Sequence, residues 1–180
     1  MAKSEKKVPV LTAKKMASFK EKLAPQLEQA DIVLTQKARL SFDQAWADIH
    51  FCLDHPIQPP KLPVGMVRSM DAAKVLDHIQ KRRNKLTGIK IACIRAKQEI
   101  EAIIGRTRSW LLMQPEIREL KNDGLRNAAI RRAIGGLEDY QTQIKAIIDA
   151  VESLLWNIKD NQYAMDLAYK EITWLQKNNE

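Results

Sequence analysis

The stretch that decides the fold is Leu137–Leu175, LEDYQTQIKAIIDAVESLLWNIKDNQYAMDLAYKEITWL. Apolar side chains recur in it every seven residues, with a second apolar position three residues after the first. This repeat is typical of a long amphipathic helix that packs along a heptad seam. The seam residues that we predict to join subunits are Leu137, Ile144, Val151, Leu154, Ile158, Met165 and Ile172. A polar residue, Asn161, interrupts the companion position and is a candidate for fixing the register.

The last helix has two further features, a wide apolar stripe and a pair of glycines before it. Ile148, Leu155 and Tyr169 extend the stripe beyond the two heptad positions. A stripe of this width needs more than one partner helix, either within the chain or on other subunits, and both alternatives are open. Gly135 and Gly136 are expected to kink or interrupt the helix that leads into the heptad segment.

Proline and glycine mark the ends of the central helices. A long helix is predicted over 69–113, because Ser69 can act as its N-cap and Pro115 forces the next break. A short helix over 115–123 follows, with Gly124 as its C-terminal residue.

The N-terminal part is predicted to contain two helices and a linker. Thr12 can cap a first short helix that ends near Pro25, and a second helix follows over about 25–54. Four of the seven prolines lie between His55 and Gly65, which makes this segment the clearest linker in the chain.

These patterns predict an all-α protein of long helices with a heptad C-terminal helix, either a helical bundle or a coiled-coil oligomer. Both glycine (6) and proline (7) are scarce, which argues against a Gly-rich all-β fold. The predicted organisation is an N-terminal basic arm and helical segment (1–55), a Pro-rich linker (56–68), a central basic helical region (69–124) and a C-terminal oligomerisation helix (125–180).

The composition narrows the class of protein. The chain has 180 residues and a formal net charge of +8, and its hydrophobic fraction of 45% excludes full-length disorder. No apolar run approaches the roughly 20 residues that a membrane-spanning helix needs, and the basic start leads into no signal-peptide core. Because the two cysteines, Cys52 and Cys93, make no disulfide framework, we expect a cytoplasmic protein, in the host cytoplasm if it is phage-encoded.

Sequence signals for an enzyme are poor. The chain has no Gly-rich phosphate loop, no nucleophile elbow and no pair of carboxylates beside a candidate base. The best metal-like cluster is short and lacks a matching second pair; it consists of His50, Cys52, Asp54 and His55. We interpret Cys52 as a packed residue near a helix end and Cys93 as a core residue. We therefore expect neither catalysis nor a metal or other cofactor.

Positive charge is concentrated in two segments. Residues 1–25 hold seven lysines against two glutamates, and residues 81–97 hold seven basic residues and no acid. The N-terminal lysines are interpreted as a solubilising tail, whereas the central segment favours a polyanionic partner. The candidate DNA contacts, including two arginines just beyond this segment, are Arg83, Lys85, Lys90, Arg95, Lys97, Arg106 and Arg108.

The spacing of these cations suits a nucleic-acid backbone. Arg83, Lys90 and Lys97 are seven residues apart, so they line about 21 Å of one helix face. Trp110 is a candidate for base stacking. It also follows the alternating three- and four-residue apolar spacing of the predicted 69–113 helix, which favours the core. A smaller basic cluster, interpreted as surface or intersubunit ion-pair partners, consists of Arg126, Arg131 and Arg132.

Two blocks of residues match a known pattern. The first is Asn84-Lys85-x3-Ile89-Lys90-x4-Arg95, followed by Arg106-x-Arg108-x-Trp110. The second is Asp149, Leu155, Ile158-Lys159 and Tyr163-Ala164-Met165. Together they resemble the UvsY family of phage recombination mediators over roughly residues 79–175. This chain departs from the family in three ways. It has an inserted residue before Arg106, it has Ser109 where the family has an apolar residue, and it has an added arm and helix before the proline linker.

The resemblance implies a small helical protein that forms a ring through its C-terminal helices and binds single-stranded DNA without sequence preference. It implies two protein partners, a RecA-like recombinase and the single-strand-binding protein that covers the DNA before the recombinase is loaded. It assigns DNA contacts to Arg106 and Arg108. Because of the departures, contacts with the protein partners are not carried over.

We therefore hypothesise an oligomeric, non-enzymatic recombination mediator that binds single-stranded DNA and has no membrane partner. The alternative is a helical structural, assembly or adaptor protein, such as a phage particle or scaffold component. Its basic helix would then bind an acidic protein surface.

Overall fold

The computed structural model describes residues 13–57 and 69–178, and, apart from 13–16, 20, 69–72, 172 and 176, their side chains as well. Within these ranges the chain is all-α, as the sequence predicted. Five α-helices and a π-helical segment follow in the order α1 (Ala13–Ile32), the π segment (Val33–Lys37), α2 (Phe42–Asp54), α3 (Ser69–Met113), α4 (Pro115–Arg118) and α5 (Asp123–Asn178). The predicted cap Thr12 and most of the proline linker lie outside the described residues.

The two long helices have the extents that the sequence predicted, to within two residues. The prediction that Gly124 ends a short helix is wrong, because it lies in the first turn of α5. The reason is local capping: the side-chain oxygen of Asn122 accepts a hydrogen bond from the backbone N–H of Leu125 at 2.8 Å. Such a cap satisfies one of the backbone donors at a helix N-terminus, so α5 can begin at Asp123.

The prediction that the first helix ends near Pro25 is also wrong, because this proline lies inside α1. An interior proline removes one backbone hydrogen bond and costs a helix about 3 kcal/mol. The apolar face of α1 is buried on both sides of it: Leu23 is 2% exposed and Ala30 is fully buried. Burial of this face offsets the cost of the proline.

The predicted second helix over 25–54 is divided in the structure. The π segment follows α1, and Arg39 then adopts a left-handed backbone conformation with φ of 51°. A new helix begins after Ser41, whose hydroxyl oxygen accepts a hydrogen bond from the backbone N–H of Gln44 at 3.3 Å. The positive φ and the serine N-cap mark the boundary between the two helices.

Gly135 and Gly136 do not interrupt the helix as the sequence had allowed, because α5 is continuous through both residues. A side chain at position 136 would lie 3.2 Å from a terminal methyl group of Leu27 in α1, whereas position 135 has no neighbour within 4 Å. Gly136 therefore allows α1 to approach α5 closely, which is a packing role and not a hinge.

The described residues form two compact units. The first contains 13–39 and 95–144, and the second contains 40–57, 69–94 and 145–178. The core of the first unit takes side chains from α1, the later part of α3, α4 and the earlier part of α5; its largest fully buried members include Phe19, Ile103, Leu111, Ile117 and Ile134. Complete burial of one such side chain contributes about 1.5–3 kcal/mol.

The core of the second unit takes side chains from α2, the earlier part of α3 and the later part of α5. Its buried members include Ile49, Ile79, Leu86, Cys93 and Val151. Cys93 is fully buried, which confirms its interpretation as a core residue, and burial raises the pKa of its thiol to about 11.

The heptad side chains of α5 lie in these two cores. Six of the seven are buried within the single chain: Leu137, Ile144, Val151, Leu154, Ile158 and Met165. The side chain of Ile172 lies outside the described residues. Partners within the chain therefore cover the seam at these six positions. That the seam joins subunits stays a prediction. A second copy of the chain could contact these six side chains only if this core opened, and would otherwise have to use other residues. None of the described helices is long and apolar enough to cross a membrane.

Candidate nucleic-acid interface

The seven predicted DNA contacts are divided between the two units. Arg83, Lys85 and Lys90 belong to the second unit, and Arg95, Lys97, Arg106 and Arg108 belong to the first. Four of them pair with an acidic side chain of their own unit: Lys85, Lys90, Lys97 and Arg108. The other three are exposed arginines with no carboxylate of the described residues within 4.0 Å. Of the seven, these three have no described acidic side chain that would compete with a bound anion.

A cleft between α3 and α5 in the second unit brings two of the predicted residues together. It has a volume of about 460 Å³ and is lined by Arg83, Thr87, Lys90, Glu152, Leu155, Trp156 and Lys159. We call it the α3–α5 cleft. Its α3 residues are spaced by four and three, and so are Glu152, Trp156 and Lys159 of α5, which places each set on one face of its helix. The buried neighbours Leu86 and Leu154 hold these faces on the two helices.

The α3–α5 cleft is positively charged overall. Its three cations outnumber its one acid, Glu152, whose Oε1 lies 2.8 Å from the Nζ of Lys90. Arg83 donates a hydrogen bond from Nη1 to the side-chain oxygen of Gln162 at 3.3 Å, so its charge is not neutralised. Lys159 places its ammonium nitrogen 5.1 Å from the ring centroid of Trp156. The cleft can therefore attract an anionic group.

Lys159 and Trp156 of this cleft are not among the site residues predicted from the sequence, and the more informative of the two is Trp156. Its side chain is 64% exposed, although an indole is among the costliest side chains to leave in water. The signal was present in the sequence, because position 156 lies outside the heptad seam and a lysine follows three residues later. An aromatic residue on the polar face of an amphipathic helix indicates a contact surface.

Lys85, a predicted DNA contact, pairs with an acidic side chain of α2 in the structure. Its Nζ lies 2.7 Å from Oδ1 of Asp48 in α2, whose side chain is only 13% exposed. Removing one partner of a partly buried ion pair leaves the other charge uncompensated. Lys85 therefore helps hold α2 against α3, which makes it a poor candidate for a DNA contact.

Arg95 lies in the first unit beside the π segment. A second cleft, also of about 460 Å³, is lined there by Val33, Lys37, Ala38, Arg95, Gln98, Glu99 and Ala102. Lys37 and Glu99 face each other across it, with 3.7 Å between Nζ and Oε2. Single π-helical turns occur frequently at functional sites, and this one brings a lysine next to Arg95.

Arg106 and Arg108 point to different sides of α3, as their spacing predicts. Arg108 lies 3.0 Å from Glu138 of α5, measured from Nη2 to Oε1. Arg106 is exposed and has no acidic partner among the described residues. The two arginines to which the resemblance assigns DNA contacts therefore lie on different sides of α3, and one of them is paired with an acid. Lys97 also has an acidic neighbour, since its Nζ lies 4.0 Å from Oε1 of Glu101.

The interpretation of Trp110 as a core residue is wrong, because its side chain is 36% exposed. It lies four residues after Arg106, so the two side chains share a face of α3. Partial exposure leaves Trp110 available for stacking, but to a smaller extent than Trp156.

The metal-like residues at the end of α2 have other contacts in the structure. His55 stacks on Phe51 with ring centroids 4.6 Å apart, and His50 lies beside Trp46 at 6.0 Å. Burial raises the pKa of the Cys52 thiol, an effect that the charges of Arg82 and Lys85 oppose. Among the described residues no group of three or more His, Cys, Asp and Glu side chains is placed to hold a metal ion.

The smaller arginine cluster contains one residue with a clear role. Arg126 pairs with Asp123 at 3.2 Å and donates to the backbone carbonyl groups of Leu120 and Arg118. It therefore ties the α4 region to the start of α5. Arg131 and Arg132 are exposed.

The chain was compared with protein-family models, curated proteins and solved structures, and none of them matched.

Proposed function

We propose that this chain is a non-enzymatic protein that binds single-stranded DNA through the basic side chains of α3 and the adjacent face of α5. The observation that carries the proposal is the α3–α5 cleft, in which Arg83 and Lys159 carry charge that no described carboxylate pairs with, beside the exposed indole of Trp156. A positive groove next to an exposed aromatic ring is the combination by which proteins bind single strands without reading sequence.

The electrostatics of the whole chain support the same class of partner. A net charge of +8 attracts polyanions at long range, and arginines without an acidic partner can contact phosphates without first breaking an ion pair. Binding of this kind releases counterions, so the affinity falls steeply as the salt concentration rises. The sequence carries no zinc-finger or helix-turn-helix pattern by which duplex DNA would be read.

We further propose that the chain acts as a recombination mediator that helps a RecA-like recombinase load onto DNA covered by single-strand-binding protein. This part depends on the resemblance of residues 79–175 to the UvsY family. An oligomer, such as the ring that the resemblance implies, would combine several weak subunit contacts into one high-avidity surface. The expected result is that the chain increases the amount of recombinase bound to covered DNA.

DNA binding is tested by fluorescence anisotropy with labelled single-stranded and duplex DNA over a salt series, with the mass of the protein measured alongside. We expect tighter binding to the single strand and a linear fall of log affinity with log salt. Arg106→Glu is expected to weaken binding and to make the salt slope less steep by about one. Arg131→Glu, which makes the same change of charge at another exposed arginine, should have a smaller effect. Absence of binding at low salt would overturn the proposal.

The alternative function, a helical assembly or adaptor protein, is favoured by one other observation. Three large side chains of the later part of α5 are well exposed: Tyr163 at 68%, Leu167 at 50% and Trp174 at 65%. Their spacing of four and seven residues places them on one face of the helix, which is typical of a protein-binding surface. If DNA binding is absent and Trp174→Ala abolishes capture of an acidic protein partner, this alternative is the correct one.

A further inference from the structure

We propose that the α3–α5 cleft holds one nucleotide of a single strand, with its base stacked on the indole of Trp156 and its phosphate between Arg83 and Lys159. This inference depends on the proposed function, since it specifies where and how the single strand is held. The inference assigns base stacking to a residue of α5, whereas the candidate predicted from the sequence was Trp110 of α3.

The ring of Trp156 meets the first requirement, which is an accessible aromatic face. Its side chain is 64% exposed, and its described close ring contact is the ammonium group of Lys159 at 5.1 Å from the centroid. Every base has a flat aromatic face, so stacking on an indole is tolerant of sequence. Lys159 can at the same time place its charge near the phosphate that follows a stacked base.

The opposite wall of the cleft meets the second requirement, which is a positive charge that is not already neutralised. Arg83 projects from α3 into the same cleft, and among the described residues its guanidinium group donates to the neutral side chain of Gln162. A guanidinium presents several N–H donors in one plane, which matches the oxygens of a phosphate. Thr87 also lines the cleft, and its hydroxyl can donate to the sugar-phosphate backbone.

The acid in the cleft explains why Lys90 is not included among the phosphate contacts. Glu152 holds Lys90 at 2.8 Å, so this pair is neutral while the other two cations remain charged. Leu155 supplies an apolar surface beside the indole, which suits a base better than a phosphate. The cleft therefore has an aromatic and apolar part for the base and a charged part for the phosphate.

The test is a comparison of Trp156→Ala, Trp156→Phe and Trp174→Ala with the unchanged chain. Trp174 is the matched control, because it is 65% exposed on the same helix and lies outside the cleft. Each protein is titrated with two labelled strands of equal length, oligo-dT and a strand of abasic sites, across a salt series. Both strands carry the same phosphates, and only the first carries bases.

Stacking predicts that Trp156→Ala weakens oligo-dT binding by about tenfold or more and leaves the salt slope unchanged. Trp156→Phe should retain most of the affinity, and Trp174→Ala should stay within about twofold of the unchanged chain. On the abasic strand, Trp156→Ala and the unchanged chain should bind equally well.

Two results would overturn the inference and leave the proposed function standing. One is unchanged binding of oligo-dT by Trp156→Ala, and the other is an equal loss on both strands, which would indicate a structural effect. If the unchanged chain binds neither strand at low salt, the proposed function itself fails and this inference fails with it.

Discussion

Tyr140 and Asp31 form the hydrogen bond that links α5 to α1 in the first unit. The phenol donates to the carboxylate, and this bond, together with partial burial and the negative charge of Asp31, raises the pKa of Tyr140 to about 12. The neutral phenol is therefore the form that the fold favours. Because the folded pKa lies above its ordinary value of 10.0, the stabilisation is complete below about pH 10. It is lost as the pH rises through about 12.

Tyr140→Phe removes this hydrogen bond and is expected to lower the free energy of unfolding at neutral pH by about 0.5–1.5 kcal/mol. The ultraviolet absorbance of tyrosinate, followed from pH 9 upward, should show a component near pH 12 in the unchanged chain and lack it in the variant. Tyr163→Phe is the control, since Tyr163 is 68% exposed, and it should leave that component in place. A late component that persists in Tyr140→Phe would contradict the assignment.

At the scale of the element, the two adjacent glycines of α5 are expected to respond differently to the same substitution. Gly135→Ala should stabilise the fold by about 0.5–1 kcal/mol, because alanine is the better helix former and position 135 has open space. Gly136→Ala should gain less or lose stability, because its Cβ would lie 3.2 Å from Leu27. Urea unfolding followed by circular dichroism measures both. Equal gains at both positions would show that Gly136 has no packing role.

The positions of the long helices could be predicted from the sequence because their signals are local. The heptad repeat and Pro115 define α5 and α3 to within two residues. The continuity of α1 through Pro25 and the π segment could not be predicted, since both depend on burial against helices that are distant in the sequence. A proline in an isolated helix is a break, and only tertiary packing reverses that expectation.

The candidate site was predictable in part for a related reason. Runs of basic residues are visible in the sequence, so Arg83 and Arg106 were found. The acidic partners of basic residues are not visible in the sequence. The structure shows that Lys85 pairs with Asp48 and that Arg108 pairs with Glu138. Trp156 was missed because the interpretation of its helix considered only the apolar heptad seam and the apolar stripe beside it.

At the scale of the whole molecule, DNA affinity can come from the net charge of +8 or from contacts in the α3–α5 cleft, and two variants distinguish these contributions. Glu152→Gln and Glu171→Gln each remove one negative charge and so raise the net charge by one, which makes their effect on long-range attraction the same. Only Glu152→Gln releases Lys90 in the α3–α5 cleft. It is expected to tighten single-strand binding by about fivefold, which corresponds to about 1 kcal/mol of charge interaction.

Glu171→Gln should change the affinity by less than about twofold at moderate salt, because an exposed charge far from the contact is screened. Anisotropy titrations of the two variants at one salt concentration provide the comparison. Equal effects would mean that the whole charge of the molecule, and not the cleft, governs binding.

Neither compact unit is continuous in the sequence. The first unit uses residues before 40 and again from 95 to 144, and the second uses residues on both sides of that later block. During synthesis the first unit has all its described residues once position 144 has left the ribosome. The second must hold the apolar faces of α2 and early α3 without their α5 partner until the chain beyond 145 arrives. Until its partner helix arrives, an incomplete unit exposes apolar surface, which makes the nascent chain prone to aggregation.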